Sequence, residues 1–139
     1  MTRVTPHFSV EEFDQPARHG LLATPYPPEW VEGRLRPLCE ALEALRERLG
    51  GRPVRVLSGY RSGAYNRAVG GARASQHLEG RAADVTVRGR SPEEVLAAAL
   101  ALYAEGVARI GGLGLYPGFV HLDVRPGRLV RWGGSRTET

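Results

Sequence analysis

The chain has 139 residues, one cysteine and a formal net charge of +4 at pH 7. This length suits a single domain with a real hydrophobic core. One cysteine excludes a disulfide framework and a cluster of thiolate metal ligands, and no apolar run approaches the ~18 residues of a membrane span, which excludes insertion into a bilayer.

The first half of the chain predicts an irregular arm, one long helix and one strand. Residues 1–28 are rich in proline, and we expect an irregular N-terminal arm in which Ser9 caps a short helix. A long helix is predicted from Pro28 to about Leu49, because apolar residues recur there at the three- and four-residue spacing of one buried stripe. Residues 53–57 then read as a strand, and residues 64–69 as a short helical turn.

The second half predicts three strands and one helix. Residues 81–87 read as a turn and a strand with Asp84 on one face, and residues 118–125 alternate so that His121 and Asp123 share a face. Between them, Ser91 opens a helix that continues to Gly106, with a capping box at its start, and residues 111–116 form a glycine-rich strand and turn. Antiparallel pairing of the two alternating strands would make Asp84 and His121 cross-strand neighbours.

These elements predict one α+β domain over residues 1–139. We expect a small, mainly antiparallel sheet with two main helices packed on one face. The other face would carry the functional side chains, because the polar members of the alternating strands lie there.

Two residues on that face, Asp84 and His121, form a candidate zinc site together with His77. His77 lies in the loop that leads into the strand of Asp84, so it can fold back toward Asp84 and His121. Two imidazoles and one carboxylate are suitable ligands for a catalytic zinc, and three protein ligands leave a fourth position for water. Zinc lowers the pKa of such a water to about 7, which makes hydroxide available at neutral pH.

Several ordered motifs give the chain a family resemblance between about residues 7 and 133. It resembles the zinc D-alanyl-D-alanine carboxypeptidases and related peptidoglycan endopeptidases, which share a fold with lysostaphin-type peptidases and hedgehog domains. The segments that carry the resemblance are Phe8-Ser9-Val10-Glu11-Glu12-Phe13, Ser58-Gly59-Tyr60-Arg61-Ser62, Tyr65-Asn66, Val69-Gly70-Gly71-Ala72, the run from Ser75 to Asp84, the run from Gly112 to Arg125, and Arg131-Trp132.

The resemblance implies that His77, Asp84 and His121 bind one Zn²⁺ per chain. It also implies that Arg61 lies at the site and stabilises the oxyanion of the tetrahedral intermediate, a role that suits a permanently charged guanidinium. A salt bridge on a loop is the structural alternative for Arg61. The expected fold is that of the hedgehog and D-Ala-D-Ala peptidase group.

The identity of the general base is open. Many members of the wider group carry Glu or Asp three residues before the last zinc histidine, where this chain has Gly118, and others carry His two residues before it, where this chain has Phe119. Asp123 is the nearest carboxylate on the same strand face, and Glu79 is a second candidate. Asp123 could instead fix the tautomer of a histidine ligand.

The expected activity is zinc-dependent hydrolysis of peptide bonds in peptidoglycan stem or cross-link peptides, of carboxypeptidase or endopeptidase type as in endolysins. Candidate substrate-binding residues are Tyr60, Ser75, Gln76 and Tyr116. Two alternatives are a catalytically impaired, zinc-bearing domain that binds cell-wall peptides, and a structural component of a phage-like tail.

The basic balance favours anionic partners such as a cell-wall polymer. All 19 basic residues are arginines, but they are scattered without interleaved aromatic residues, so we expect no nucleic-acid partner. We expect a monomer. The N-terminus has no apolar core of a signal peptide, which favours release by holin-type lysis or another export route for action on the wall, and otherwise a cytoplasmic location.

Overall fold

A computed structural model describes residues 1–133 of the chain. Its N-terminal segment begins with an antiparallel pair of short strands, β1 (Arg3–Thr5) and β2 (Phe8–Ser9), followed by a 3₁₀ turn over Val10–Phe13. The arm that we expected to be irregular therefore contains a hairpin. The hairpin is stabilised because Val4, Phe8 and Phe13 are buried in the hydrophobic core.

The long helical segment starts at Pro28 as predicted, but it is built from three helix types. Pro28–Trp30 is a 3₁₀ turn, Val31–Leu35 is a π-helix, and only Arg36–Arg48 is an α-helix, named α1. The α-helix contains a proline at its start, Pro37. This residue lacks an N–H and its ring crowds the carbonyl four residues earlier, which accounts for the wider turn just before it.

The main sheet has five strands in the order β3-β4-β6-β5-β7. They are β3 (Val54–Ser58), β4 (Ala82–Val87), β5 (Gly112–Leu115), β6 (Val120–Asp123) and β7 (Val130–Gly133). Every neighbouring pair is antiparallel except β5 and β7. The mainly antiparallel sheet is confirmed, and β7 is an additional strand that the sequence pattern did not predict.

Two further helices connect the strands. The short α2 (Gly63–Ala68) follows β3, and α3 (Pro92–Ala104) lies between β4 and β5. The capping box of α3 is present, because Ser91 N–H donates to Glu94 Oε1 at 2.9 Å and Glu94 N–H donates to Ser91 Oγ at 3.1 Å. The structure thus forms the predicted helix within two residues of its expected end.

One face of the sheet carries the core. Side chains of α1 and α3 pack with the apolar members of β4, β5 and β6 in a single buried cluster, which includes Leu38, Leu42, Leu45, Val95, Ala99, Leu102, Val85, Leu113, Val120 and Leu122. The alternate residues of β4 and β6 point to the opposite face. The predicted α+β arrangement, with helices on one face, is confirmed. Within residues 1–133, no helix is both long and apolar enough to cross a bilayer.

Candidate metal centre

Strand register brings two of the three candidate ligands together. Asp84 of β4 is paired directly with His121 of β6, as the sequence pattern predicted. His77 Nε2 lies 3.2 Å from Asp84 Oδ1, and His121 Nδ1 lies 3.1 Å from the same oxygen. One ligand atom from each residue lies within 4.8 Å of the other two, and all three side chains are buried.

A hydrogen bond fixes the orientation of His77. Its Nδ1 lies 2.8 Å from the carbonyl oxygen of Gly59. A carbonyl only accepts, so Nδ1–H is the donor and the lone pair of neutral His77 is on Nε2, which faces Asp84. The turn around His77 is closed by Ser75, whose Oγ accepts the His77 N–H at 3.2 Å.

The N-terminal segment supports this turn from outside. Tyr26 donates its hydroxyl to the carbonyl of Gly80 at 2.6 Å. Gln15 Oε1 accepts the Ser62 N–H at 2.7 Å, and the carbonyl of Phe13 accepts the Tyr60 N–H at 2.9 Å. The two loops that frame His77 are therefore both bonded to residues 13–26.

A carboxylate fixes the orientation of His121. Asp123 Oδ2 lies 2.7 Å from His121 Nε2, and Arg125 binds both oxygens of Asp123, at 2.9 and 2.6 Å. Burial opposes ionisation of Asp123, but its bonds to His121 and Arg125 outweigh burial and lower its pKa to about 2. Ionised Asp123 therefore accepts from Nε2–H, which leaves Nδ1 of neutral His121 directed at Asp84.

The ligands perturb one another's ionisation in the metal-free protein. Burial raises the pKa of Asp84, but the neighbouring imidazoles act more strongly together, and its pKa stays well below the ordinary value. Burial lowers the pKa of His77. The pKa of His121 is raised in spite of burial, because both Asp123 and Asp84 bond to its ring. Asp84 is therefore ionised at neutral pH, as a metal ligand must be.

The donor set fits a zinc ion. Tetrahedral zinc with bonds of 2.0–2.1 Å separates its ligand atoms by about 3.3 Å, close to the 3.1 and 3.2 Å that separate Asp84 Oδ1 from the two imidazole nitrogens. Each histidine uses its other nitrogen for a hydrogen bond, as ligating histidines do. His77 Nε2, Asp84 Oδ1 and His121 Nδ1 are the atoms that would hold the ion.

Arg61 contacts the site at the second oxygen of Asp84. Its guanidinium is buried and donates to Asp84 Oδ2 at 3.3 Å, to Asn66 Oδ1 at 3.1 Å and to Ser58 Oγ at 3.2 Å. Burial lowers the pKa of Arg61, yet an arginine remains charged at neutral pH. A Cβ added at Gly71 would lie 2.1 Å from Asn66 Oδ1, so the glycine leaves room for this arrangement.

Two glycines of β5 make room for site side chains from neighbouring strands. A Cβ at Gly112 would meet the Asp123 carboxylate at 2.3 Å, and a Cβ at Gly114 would meet Nε1 of Trp132 at 2.4 Å. A glycine inside a strand often marks a place where another group approaches closely. The structure shows that the approaching groups are a carboxylate and an indole of the same chain.

Glu79, the third candidate catalytic residue, is paired with arginines. The Glu79 carboxylate is half-exposed and is 3.5 Å from both Arg34 and Arg81.

Gly118 and Phe119 hold the two positions where the resemblance led us to expect an acid or a histidine. Gly118 faces open space, since a Cβ placed there meets no atom within 4 Å. Phe119 stacks on Tyr116 with ring centroids 4.6 Å apart.

The four candidate substrate-binding residues differ in their surroundings. Tyr60 is partly buried and makes edge contacts with Tyr26 and with Trp30. Tyr116 is buried, and its Oη accepts from an indole N–H at 2.8 Å. Ser75 is buried in the turn of His77. The amide oxygen of Gln76 is buried and has no hydrogen-bond partner among the described residues.

The geometry adds two residues that reasoning from the sequence did not assign to the site. Asn66 binds Arg61, and Trp132 lies with its ring centroid 5.0 Å from that of His121. Both residues belong to segments that carried the family resemblance. The glycines opposite them, Gly71 and Gly114, are the signal in the sequence that a bulky group lies there.

Comparison with known families matches residues 6–123, most of the chain, to the family described as Peptidase M15. A search of curated proteins finds no match. The family match covers the candidate ligands and the strands that position them, and it confirms the resemblance read from the sequence. The chain therefore belongs to the M15 family of zinc-dependent peptidases.

Proposed function

We propose that this protein is a zinc metallopeptidase that hydrolyses peptide bonds in the stem or cross-link peptides of peptidoglycan. The observation that carries the proposal is the convergence of His77, Asp84 and His121 on one buried point, in a chain of the M15 family. When bound there, zinc supplies a Lewis acid that polarises a carbonyl group and acidifies water.

The protein's own residues supply the rest of the chemistry. Arg61 stabilises the negative charge that develops on the scissile carbonyl oxygen, because its cation is fixed by three hydrogen bonds beside Asp84 and needs no reorganisation. Tyr60, Ser75, Gln76 and Tyr116 contact the peptide. Of these, Gln76 has the strongest support as a hydrogen-bonding group, since its buried amide oxygen has no partner among the described residues.

Asp123 acts in this proposal as the residue that orients His121. Both of its oxygens are bonded, one to His121 and both to Arg125, and its pKa of about 2 makes it a poor proton acceptor at neutral pH. Glu79 is the remaining carboxylate candidate for proton transfer, and its half-exposed position beside two arginines leaves it accessible to solvent.

Digestion of peptidoglycan tests the proposal. Purified protein is incubated with muropeptides and with intact sacculi, and products are identified by mass spectrometry. We expect cleaved peptides that disappear when a chelator is added and return with zinc. The product masses decide between a carboxypeptidase, which releases a terminal D-alanine, and an endopeptidase, which separates cross-linked stems. A His121→Ala protein serves as the inactive control.

A domain that binds wall peptides without cutting them is the second candidate. The family resemblance leads us to expect an acid or a histidine at the two positions that hold Gly118 and Phe119. The specific observation behind this candidate is that Phe119 is committed to a ring stack with Tyr116. Gly118→Glu tests this candidate, because a side chain at position 118 enters open space. A wild-type protein that binds muropeptides without products, and a variant that gains turnover, would favour the binding domain.

A further inference from the structure

One row of residues crosses the sheet at the metal centre. Strand pairing aligns Ser58 with Asp84, Asp84 with His121, His121 with Gly114, and Gly114 with Trp132. Side chains in one row point to the same face of a sheet. The row therefore continues from the candidate ligands through a residue without a side chain to an indole on the edge strand.

The indole of Trp132 fills the space above Gly114. Two strand spacings of about 4.8 Å separate Trp132 from His121 along the row, yet their ring centroids are 5.0 Å apart. This approach is possible only because Gly114 has no Cβ, which would lie 2.4 Å from the indole nitrogen. The glycine and the tryptophan thus form one packing unit.

The indole also limits the movement of His121. The hydrogen bond of Nε2 to Asp123 and the 3.1 Å contact of Nδ1 with Asp84 fix the edges of the imidazole, but they allow the ring to tilt about the line that joins its two nitrogens. The His77 ring lies against it at 5.1 Å and Trp132 at 5.0 Å. With these two rings as neighbours, the plane of the imidazole is restrained as well as its edges.

The same indole binds a second residue of the site. Its Nε1–H donates to Tyr116 Oη at 2.8 Å, so the phenolic proton of Tyr116 must point away from the indole. Arg125 lies over the indole at 5.3 Å while it binds Asp123. Trp132 is therefore in contact with His121, with Tyr116 and with the cation that binds Asp123.

We propose that Trp132 is a positioning residue of the metal centre, which restrains the His121 imidazole by ring packing and directs the Tyr116 hydroxyl through its indole N–H. The proposal rests on the metal-dependent function proposed above. Packing and hydrogen bonding can be tested separately, because phenylalanine at position 132 keeps an aromatic ring, although a smaller one, and removes the indole N–H donor.

Cobalt binding tests the packing role without reference to activity. Co²⁺ is titrated into the metal-free wild type, Trp132→Leu, Trp132→Phe and Gly114→Ala, and the visible absorption and affinity are recorded. We expect about tenfold weaker binding and shifted absorption bands for Trp132→Leu and Gly114→Ala, and a near-native spectrum for Trp132→Phe. Trp30→Phe is the matched control, because the ring contacts of Trp30 are with Tyr26, Tyr60 and Arg34, and this variant should leave the spectrum unchanged.

Turnover tests the hydrogen-bonding role. Trp132→Phe and Tyr116→Phe should each lower kcat/KM, and the double variant should be no worse than the worse single variant, since both remove one interaction. Folded Trp132→Leu and Trp132→Phe proteins with the wild-type cobalt spectrum and kcat/KM would overturn the inference on their own. A wild type that binds no Co²⁺ would overturn the metal centre and the inference together.

Discussion

The carboxylates of Asp84 and Asp123 have different hydrogen-bond partners in the site. Asp84 presents Oδ1 to both imidazoles and Oδ2 to Arg61, whereas Asp123 is fully buried between His121 and Arg125. Both have lowered pKa values because cationic or hydrogen-bonding groups outweigh the effect of burial. The first carboxylate faces both imidazoles that would share an ion with it, and the second contacts only His121 of the two.

Substitution of Asp123 by asparagine should therefore affect metal binding before chemistry. We expect zinc affinity to fall 10- to 100-fold, as for other partners of ligating histidines, and kcat to recover when zinc is saturating. Competition with a chromogenic chelator gives the affinity, and turnover is measured over a range of zinc concentrations. Glu105→Gln, on an exposed ion pair with Arg48, is the control. Native affinity with no turnover at any zinc concentration would instead identify Asp123 as the base.

Strand β5 shows how an element can serve a site to which it contributes no functional side chain. Its glycines at 112 and 114 lie between β6 and β7, where side chains from those neighbours occupy the vacant volume. The edge strand β7 pairs parallel to β5 and brings Trp132 to the site. The face of the sheet that carries the candidate ligands thus combines small residues on β5 with large side chains on its two neighbours, β6 and β7.

Gly112→Ala should loosen the metal centre without unfolding the sheet. Its Cβ would lie 2.3 Å from the Asp123 carboxylate and displace it from His121. We expect zinc affinity to drop at least tenfold, comparable to loss of the Asp123 contact. Gly118→Ala is the matched control, since its Cβ enters open space. Equal zinc affinity for the two variants would show that Asp123 moves freely and does not orient His121.

The sequence predicted those parts of the fold that rest on local patterns. Alternation in β4 and β6 predicted which residues share a face, because the side-chain period of a strand is two. On the condition of antiparallel pairing it also predicted that Asp84 and His121 could be neighbours, and the register of the sheet pairs them. Strand β7 was not predicted, since four residues of an edge strand carry no clear alternation and their partner is parallel. The position of Trp132 beside His121 was not predicted either, because it depends on Gly114 of the strand next to the ligand and on an edge strand that the pattern did not reveal.

Metal binding should join segments that are distant in the chain. Loop 75–80, β4 and β6 each supply one candidate ligand. An ion bound by all three would hold these segments together, as they are in the folded chain and not in the unfolded one. A ligand that binds only the folded state at 100 times its Kd adds about 2.7 kcal/mol of stability. The whole molecule, not only the site, should respond to zinc.

Thermal unfolding measures this response. We expect the melting temperature to rise by several degrees with zinc and to return when a chelator is added. His77→Ala should abolish the rise, whereas His19→Ala, at an exposed position in the N-terminal segment, should keep it. A rise of the same size in both variants would mean that zinc binds elsewhere.

Acid should destabilise the metal-free protein within a defined range of pH. Asp84 and Asp123 have pKa values below the ordinary 3.8, about 2 for Asp123. A carboxylate with a lowered pKa in the folded state stabilises the protein above 3.8, and this stabilisation is lost as the pH falls toward 2. We expect the urea midpoint to drop across this range, and to drop less for Asp123→Asn. An identical slope for both proteins would show that Asp123 is not bonded in solution.

The bonds from residues 13–26 to the two loops around His77 have a consequence for how long an ion stays bound. The turn of His77 is tied to Tyr26 through the carbonyl of Gly80, so an outward movement of this turn, which would take one of the three ligands from an ion, requires that hydrogen bond to break. Tyr26→Phe removes the donor of this bond and keeps the buried ring, so residence time at the centre should shorten while the helices stay intact.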